Sequence, residues 1–441
     1  MGRHLVRLGA YMAMGSLSMN IAQLAEAVYL GIVGTEALAA MGFAFPITMI
    51  LFAFAGGIGT GASSVIARAM GEGDRPAAAR LVTHAQFLAF GVGVLLSFVG
   101  FAFAEQVLAV LGARGVVLDM AVDYLRVYML GFPLFMLSMV GSTLLRATGN
   151  AASPGIIMTF GSVLQIALGP VLIFGWFGFP EMGIAGAAWA YVISRAIAAC
   201  LYVLLLLRVK MFFWSVAGVL RSWWSILHVG GPAIASGLIM PVSMLVVTRL
   251  LAGHGHEVVA GYNVAVRIET MAHMILWSAS ASVEPVVGQN WGARQVSRVR
   301  RALWLGVRFA QGWAVFTFVF MMLAGEAITR AIDPNETVVM VTQAFFWIIP
   351  LSIGFMGMMQ MAISSFNARG LPGPPLVISI VRTFVVYIPL CYYGDQWFGY
   401  EGIFWATAAT NVLGGVIAWW WNQHSLNVGE AELVIRAKVR A

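Results

Sequence analysis

Charge is scarce in this 441-residue chain: 10% of its residues are Asp, Glu, Lys or Arg, against 61% that are hydrophobic. A soluble domain of this length cannot cover its surface with so few charges, so the chain is expected in a lipid bilayer. Cysteine is nearly absent. Cys200 and Cys391 both sit inside apolar runs, and they offer neither a disulfide framework nor a metal-ligand cluster. No His-Glu-x-x-His motif or nucleophile-base pair occurs. Gly71-Glu72-Gly73-Asp74 lacks the Lys-Ser or Lys-Thr that a phosphate-binding loop requires. An enzyme and an ATP-driven pump are therefore disfavoured, and no metal and no cofactor beyond a coupling ion is expected. The polar-apolar alternation of a membrane β-barrel is missing as well. The net charge of +7 is scattered at helix ends and not massed on one domain, which argues against nucleic acid as a partner.

What is present is long apolar runs. A bilayer core of about 30 Å is crossed by roughly 20 apolar helical residues. Twelve such spans are predicted, at 8–32, 37–65, 80–104, 117–145, 153–175, 182–207, 227–252, 258–287, 299–325, 337–367, 373–394 and 401–423. Lys and Arg gather at alternate ends: Arg3 and Arg7; Arg68, Arg75 and Arg80; Arg208, Lys210 and Arg221; Arg294, Arg298, Arg300 and Arg301; Arg436, Lys438 and Arg440. By the positive-inside rule both termini are cytoplasmic and the number of spans is even.

The chain also repeats itself. Gly34-Thr35-Glu36-Ala37-Leu38-Ala39-Ala40 returns as Gly255-His256-Glu257-Val258-Val259-Ala260-Gly261, and Met70-Gly71 as Trp291-Gly292. Arg146-Ala147-Thr148-Gly149 returns as Asn367-Ala368-Arg369-Gly370, each about 221 positions later. Three matches at one offset divide the chain into an N-terminal lobe, 1–208, and a C-terminal lobe, 226–425. Residues 209–225 form a cytoplasmic linker and 426–441 a cytoplasmic tail. The fold class is an all-α membrane protein of twelve transmembrane helices in two six-helix lobes. An even number of spans per lobe makes the lobes parallel, related by a pseudo-two-fold axis along the membrane normal. Because the first span is the partner of the seventh, it is retained and is not a cleaved signal peptide.

With these segments in order, the sequence resembles the multidrug and toxic compound extrusion (MATE) family, within it the DinF-like branch. The carriers are Gly34 to Ala40, Gly57-Ile58-Gly59-Thr60-Gly61-Ala62-Ser63-Ser64 followed by Gly71 to Asp74, Leu144-Leu145-Arg146-Ala147-Thr148-Gly149-Asn150, Gly183-Ile184-Ala185-Gly186-Ala187-Ala188 and Val287-Gly288-Gln289-Asn290-Trp291-Gly292-Ala293. The resemblance implies a monomeric antiporter in a bacterial inner membrane, whose two lobes rock about a central cavity. It would expel small organic, often cationic, compounds as H⁺ or Na⁺ enters.

A carboxylate inside a span marks a pathway by default. Glu26 shares the first span with Ser16, Asn20 and Gln23 at steps that put all four within about a third of the helix circumference. Low dielectric favours the neutral carboxyl, so Glu26, with Gln23 and Asn20, is the first candidate for cation coupling. MATE proteins usually carry Asp at this position. A second stripe on the eighth span runs through Glu269, His273, Trp277, Ser280 and Glu284. Glu269 and His273, four apart, can touch and form a second coupling candidate, with Trp277 and Ser280 as candidate substrate contacts. For each stripe a static role in helix packing stays open.

The family resemblance also implies a second acid in the fifth span, where Asn, three residues, Asp and Pro are common; this chain has Gln165, Gly169 and Pro170 instead. The tenth span likewise has no acid around Met356, Met359 and Gln360. A Na⁺ ion needs several hard oxygens, so H⁺ is favoured over Na⁺. Gln165, Gln360, Met240, Met244, Met356 and Met359 complete the candidate substrate contacts, since thioethers tolerate varied apolar ligands. A flippase for a lipid-linked precursor is the alternative, but of the arginines that its pyrophosphate would call for only Arg267, Arg382 and Arg195 are intramembrane.

Overall fold

The computed structural model describes residues 2–150 and 152–440, without the side chains of residues 2–6, 240 and 432–440. Twelve long helices are found among them: α1 Gly2–Val33, α2 Thr35–Gly71, α3 Arg75–Ala102, α4 Gly115–Ala147, α5 Ala152–Ile173, α6 Gly183–Arg208, α7 Val219–Ala252, α8 His256–Gly292, α9 Val296–Ile332, α10 Glu336–Arg369, α11 Gly373–Phe398 and α12 Tyr400–Arg440. Eleven are long and apolar enough to cross a membrane. The other, α8, has the length (37 residues) but is too polar: it carries Arg267, Glu269, His273 and Glu284. No strand occurs among the described residues.

Local chemistry sets where the helices begin and break. Asp74 caps α3, its side chain accepting from Ala77 N, and Asn335 caps α10 by accepting from Thr337 N and Val338 N; each satisfies orphan donors of a first turn. Gly34 and Gly255, a repeat apart, enter α2 and α8 at φ 157° and 107°, a conformation L side chains rarely adopt. Pro350 interrupts α10 with a 3₁₀ turn, Pro350–Ser352, and α11 contains a π-helical segment, Val381–Tyr387. Such segments are frequent at functional sites.

The packing obeys the repeat. In the first half α4 is the central helix, against α2, α3 and α6, while α5 packs on α6; in the second half α10 packs against α8, α9 and α12, and α11 on α12. Each neighbour pair recurs six helices later. The core of the first half is built on Phe132, Phe135 and Tyr202, and that of the second on Phe345, Phe346 and Phe404.

The chain forms two compact units, Ala10–Ile234 and Met1–Gly9 with Ala235–Ala441. The first turns of α1 and the first half of α7 thus each belong with the opposite half of the sequence. In the first of these units the backbones of α2 and α7 touch: a Cβ on Gly61 would run into Ile226 O and lie 2.9 Å from Gly230 N, and one on Gly57 would lie 2.8 Å from Gly230 O.

The 209–225 linker is helical from Val219, so its irregular part is 209–218, and beyond 426 the chain continues as α12. The irregular part is tied to α3. Phe213 N donates to Thr83 Oγ1 (2.9 Å), His84 Nε2 donates to Ser215 O (2.7 Å), and Trp223 Nε1 donates to His84 O (2.9 Å).

Candidate functional site

Glu26 is buried on the inward edge of α1, in line with Ala22 and Leu30. Its two carboxylate oxygens are met by other helices. Tyr124 on α4 donates its hydroxyl to Glu26 Oε1 (2.8 Å), and Gln165 on α5 donates Nε2 to Oε2 (3.0 Å). Arg195 on α6 donates Nη2 to Gln165 Oε1 (3.1 Å), which fixes the Gln165 amide with its NH₂ toward Glu26. The guanidinium lies over the Tyr191 ring, 5.2 Å from its centroid, a favourable placement for a cation. Tyr128 donates to the Tyr191 hydroxyl (3.0 Å) and stacks between Tyr191 and Tyr124, at 4.5 and 6.1 Å. Every polar group bonded to the carboxylate is therefore a donor, and a full positive charge stands one amide away.

Beside Glu26 is a small cavity, with room for about one water molecule, lined by Ala22, Tyr29, Gln165, Ile166 and Gly169 among others. It is far too small for an organic ligand, whose pockets start at about 300 Å³, and suits water or a proton path. Its wall explains the missing fifth-span acid. Pro170 has no N–H to give Ile166 O, the acceptor one turn back, and the Tyr29 hydroxyl donates to that carbonyl at 3.3 Å. To do so the Tyr29 ring lies against Gly169, where a Cβ would come within 2.8 Å of Tyr29 Cε2. Tyr29 occupies the place a carboxylate at 169 would need.

The polar stripe expected on the first span is only partly realised. Gln23 is exposed, and Asn20 donates to Ser16 O of its own helix (2.9 Å), so neither side chain joins the Glu26 network. The reason is angular: Gln23 lies about 60° around the helix from Glu26, enough to leave the buried edge. Gln165, expected against substrate, instead binds Glu26. Tyr124, Tyr128, Tyr191 and Arg195 were not among the expected site residues. Two i, i+4 pairs inside apolar spans, Tyr124 with Tyr128 and Tyr191 with Arg195, were the signal for them.

In the other unit Glu269 is buried, and its Oε1 stands 3.8 Å from His273 Nε2. That is ion-pair range and beyond a hydrogen bond, and His273 Nε2 is buried without a hydrogen-bond partner. Ser280 is buried and shares a 2.7 Å hydrogen bond with Ser364, and it donates to the main-chain oxygen of Gln360 at 3.3 Å; the structure uses it to join α8 to α10. Met359 is a core residue, with Phe366, Ile378 and Ala418, and Met356 packs against that cluster. Gln360 is half-buried, whereas Trp277, Met244 and Arg267 are exposed. The Met240 side chain lies outside the described residues.

Because Gln165 bonds two charged groups at once, Gln165→Leu should destabilise the protein more than Tyr124→Phe. It strands both Glu26 Oε2 and Arg195 Nη2, at a cost of about 3 kcal/mol or more, whereas Tyr124→Phe removes one donor, about 1–3 kcal/mol. Thermal unfolding in detergent checks the order.

The all-helical fold of two repeated halves agrees with the comparisons. The MatE family model matches the chain twice, over residues 12–171 and 232–393, which are the two halves of the repeat. A FAD transporter of Shewanella oneidensis is 30% identical over 423 residues, 95% of this chain and 94% of its own length. A probable multidrug resistance protein of Thermotoga maritima, NorM, is 26% identical over 401 residues, 88% of this chain and 85% of its own. Among solved structures, the Vibrio cholerae MATE transporter VcmN in its bent form superposes with a TM-score of 0.93 at 26% identity, over 98% of each chain. The chain belongs to the MATE family: it is a multi-pass secondary transporter of small organic compounds and not an enzyme.

Proposed function

We propose that the chain is a monomeric antiporter of a bacterial inner membrane, with both termini cytoplasmic, that exports small organic compounds in exchange for H⁺ by alternating access. Glu26 is the proton-carrying group. The observation that carries this reading is the donor-only surrounding of Glu26, from Tyr124 and Gln165, with Arg195 behind. A Na⁺ ion needs several oxygen ligands, preferably charged. Here Glu26 supplies one carboxylate, both of its neighbours present hydrogens, and a guanidinium sits where a second anion would help. A proton needs one acceptor only. The two carboxylate oxygens have a stable partner set in the charged form, and the adjoining cavity gives the proton a way in.

The experiment is efflux from proteoliposomes under two separate gradients. An imposed pH gradient without Na⁺ should drive export of a fluorescent organic cation such as ethidium, and a Na⁺ gradient at equal pH should not. Export driven by Na⁺ alone overturns the proton reading. A second reading of the substrate, a flavin dinucleotide, is favoured by the likeness to the Shewanella FAD transporter along nearly the full length of both chains. It predicts gradient-driven export of FAD in the same vesicles.

A further inference from the structure

Arg382 is not used by the coupling scheme, and its surroundings do not explain a charge within a membrane span. It lies about 14 Å along α11 from the start of that helix, within the π-helical segment Val381–Tyr387. Its place is built by neutral groups. The Pro350 break in α10 presents Ser352, whose Oγ donates to Ile349 O (2.7 Å) and accepts from Asn411 Nδ2 (3.0 Å). Asn411, buried, is thereby turned so that its Oδ1 accepts from Arg382 Nη2 (2.8 Å). Gly414 leaves room for the stem: a Cβ there would lie 3.4 Å from Arg382 Cδ.

Among the described residues no carboxylate lies within ion-pair distance of Arg382, and its Nε is buried without a hydrogen-bond partner. A cation held inside a membrane span by an amide oxygen is costly, and such residues ordinarily pair or mark a substrate path. The guanidinium fork is suited to planar oxyanions, which it meets with two parallel hydrogen bonds.

We propose that Arg382, oriented by Asn411, binds an oxyanion of the transported compound, a phosphate or a carboxylate. The counter-ion that the protein does not supply is brought by the substrate. The inference rests on the transport reading above and adds to its substrate class amphipathic compounds bearing an acidic group. Asn411 is a positioning residue in this scheme.

The test is binding, read in lipid nanodiscs without any gradient, so that a failure of proton coupling leaves its result intact. Four probes share a dansyl fluorophore and differ only in the head group: an aminoethyl phosphate, a glycine carboxylate, an aminoethanol and a trimethylammonium. The phosphate or the carboxylate probe should bind at least about tenfold more tightly than the neutral alcohol, the effect of one or two charge-assisted hydrogen bonds. The stronger of the two identifies the head-group chemistry. Arg382→Gln should remove that preference while the alcohol binds as before, and Arg382→Lys should keep part of it. If Arg382→Gln loses the alcohol as well, the comparison passes to Arg382→Lys and Asn411→Leu, each of which must weaken the anionic probe more than the neutral one. Anionic probes that bind the native protein no better than the alcohol, or that are indifferent to these substitutions, overturn the proposal.

Discussion

Glu26→Gln is expected to bring pH-gradient-driven export down to the leak of empty vesicles while leaving the protein folded. The two halves of this expectation come from the same hydrogen bonds. The amide has the shape of the carboxyl, and it can keep both neighbours. Its oxygen accepts from Gln165 Nε2, as Oε2 does now, and its NH₂ points to Tyr124, whose hydroxyl turns from donor to acceptor. Gln165 is then undisturbed and still accepts from Arg195. No buried group is orphaned, so the penalty in stability should stay within about 1–2 kcal/mol, a shift of a few degrees in the thermal midpoint. What disappears is the protonatable group itself. Glu26→Asp, one methylene shorter, cannot reach both Tyr124 and Gln165 and should retain partial transport. If Glu26→Gln still exports under a pH gradient, the coupling group lies in the other unit, with Glu269 and His273.

The site was legible in the sequence where a residue is anomalous in its own segment. Glu26 and Glu269 stand out as carboxylates in apolar spans, and Gln165 stands out by its place before Pro170. Tyr124 and Tyr191 do not, because an aromatic in a span reads equally as core or as interface. Tyr124 meets Glu26 only where α4 approaches α1, across 98 positions of sequence, and Tyr191 joins through Tyr128 and the packing of α4 on α6. The polar stripe of α1 failed at Gln23 because helical spacing tells which residues share a side and not which side is buried. Met359 illustrates the limit for substrate contacts: a methionine that closes a core cluster and one that would meet a ligand have the same sequence signature. The twelve-helix, two-lobe fold was more accessible, since it followed from long apolar runs and a repeat offset. Hydropathy by itself would have missed α8, which its match to α2 at the repeat offset brings back into the count.

That same repeat makes a strong prediction where its two halves diverge. Gly61 on α2 and Gly230 on α7 touch in one unit, and at the 221-residue offset their counterparts, Ser282 on α8 and Gly9 on α1, face each other in the other. The two crossings are not equally tight. A Cβ on Gly61 would meet backbone, Ile226 O with Gly230 N and Cα at 2.9 and 3.1 Å, and backbone cannot swing aside as a side chain can. A Cβ on Gly9 would find only Ser282 Oγ at 3.7 Å, an ordinary contact. Close helix approach through small residues supplies much of the packing between membrane helices, so even one methyl at 61 must drive α7 off α2. Gly61→Ala is therefore expected to destabilise by about 3 kcal/mol, lowering the thermal midpoint in detergent by roughly 3–6 °C. Gly9→Ala should not destabilise, and the restricted unfolded chain should add about 0.5 kcal/mol. A Gly61→Ala protein as stable as the native one would mean that the first half of α7 does not hold this position against α2. Equal losses at 9 and 61 would mean that the two crossings are equally close.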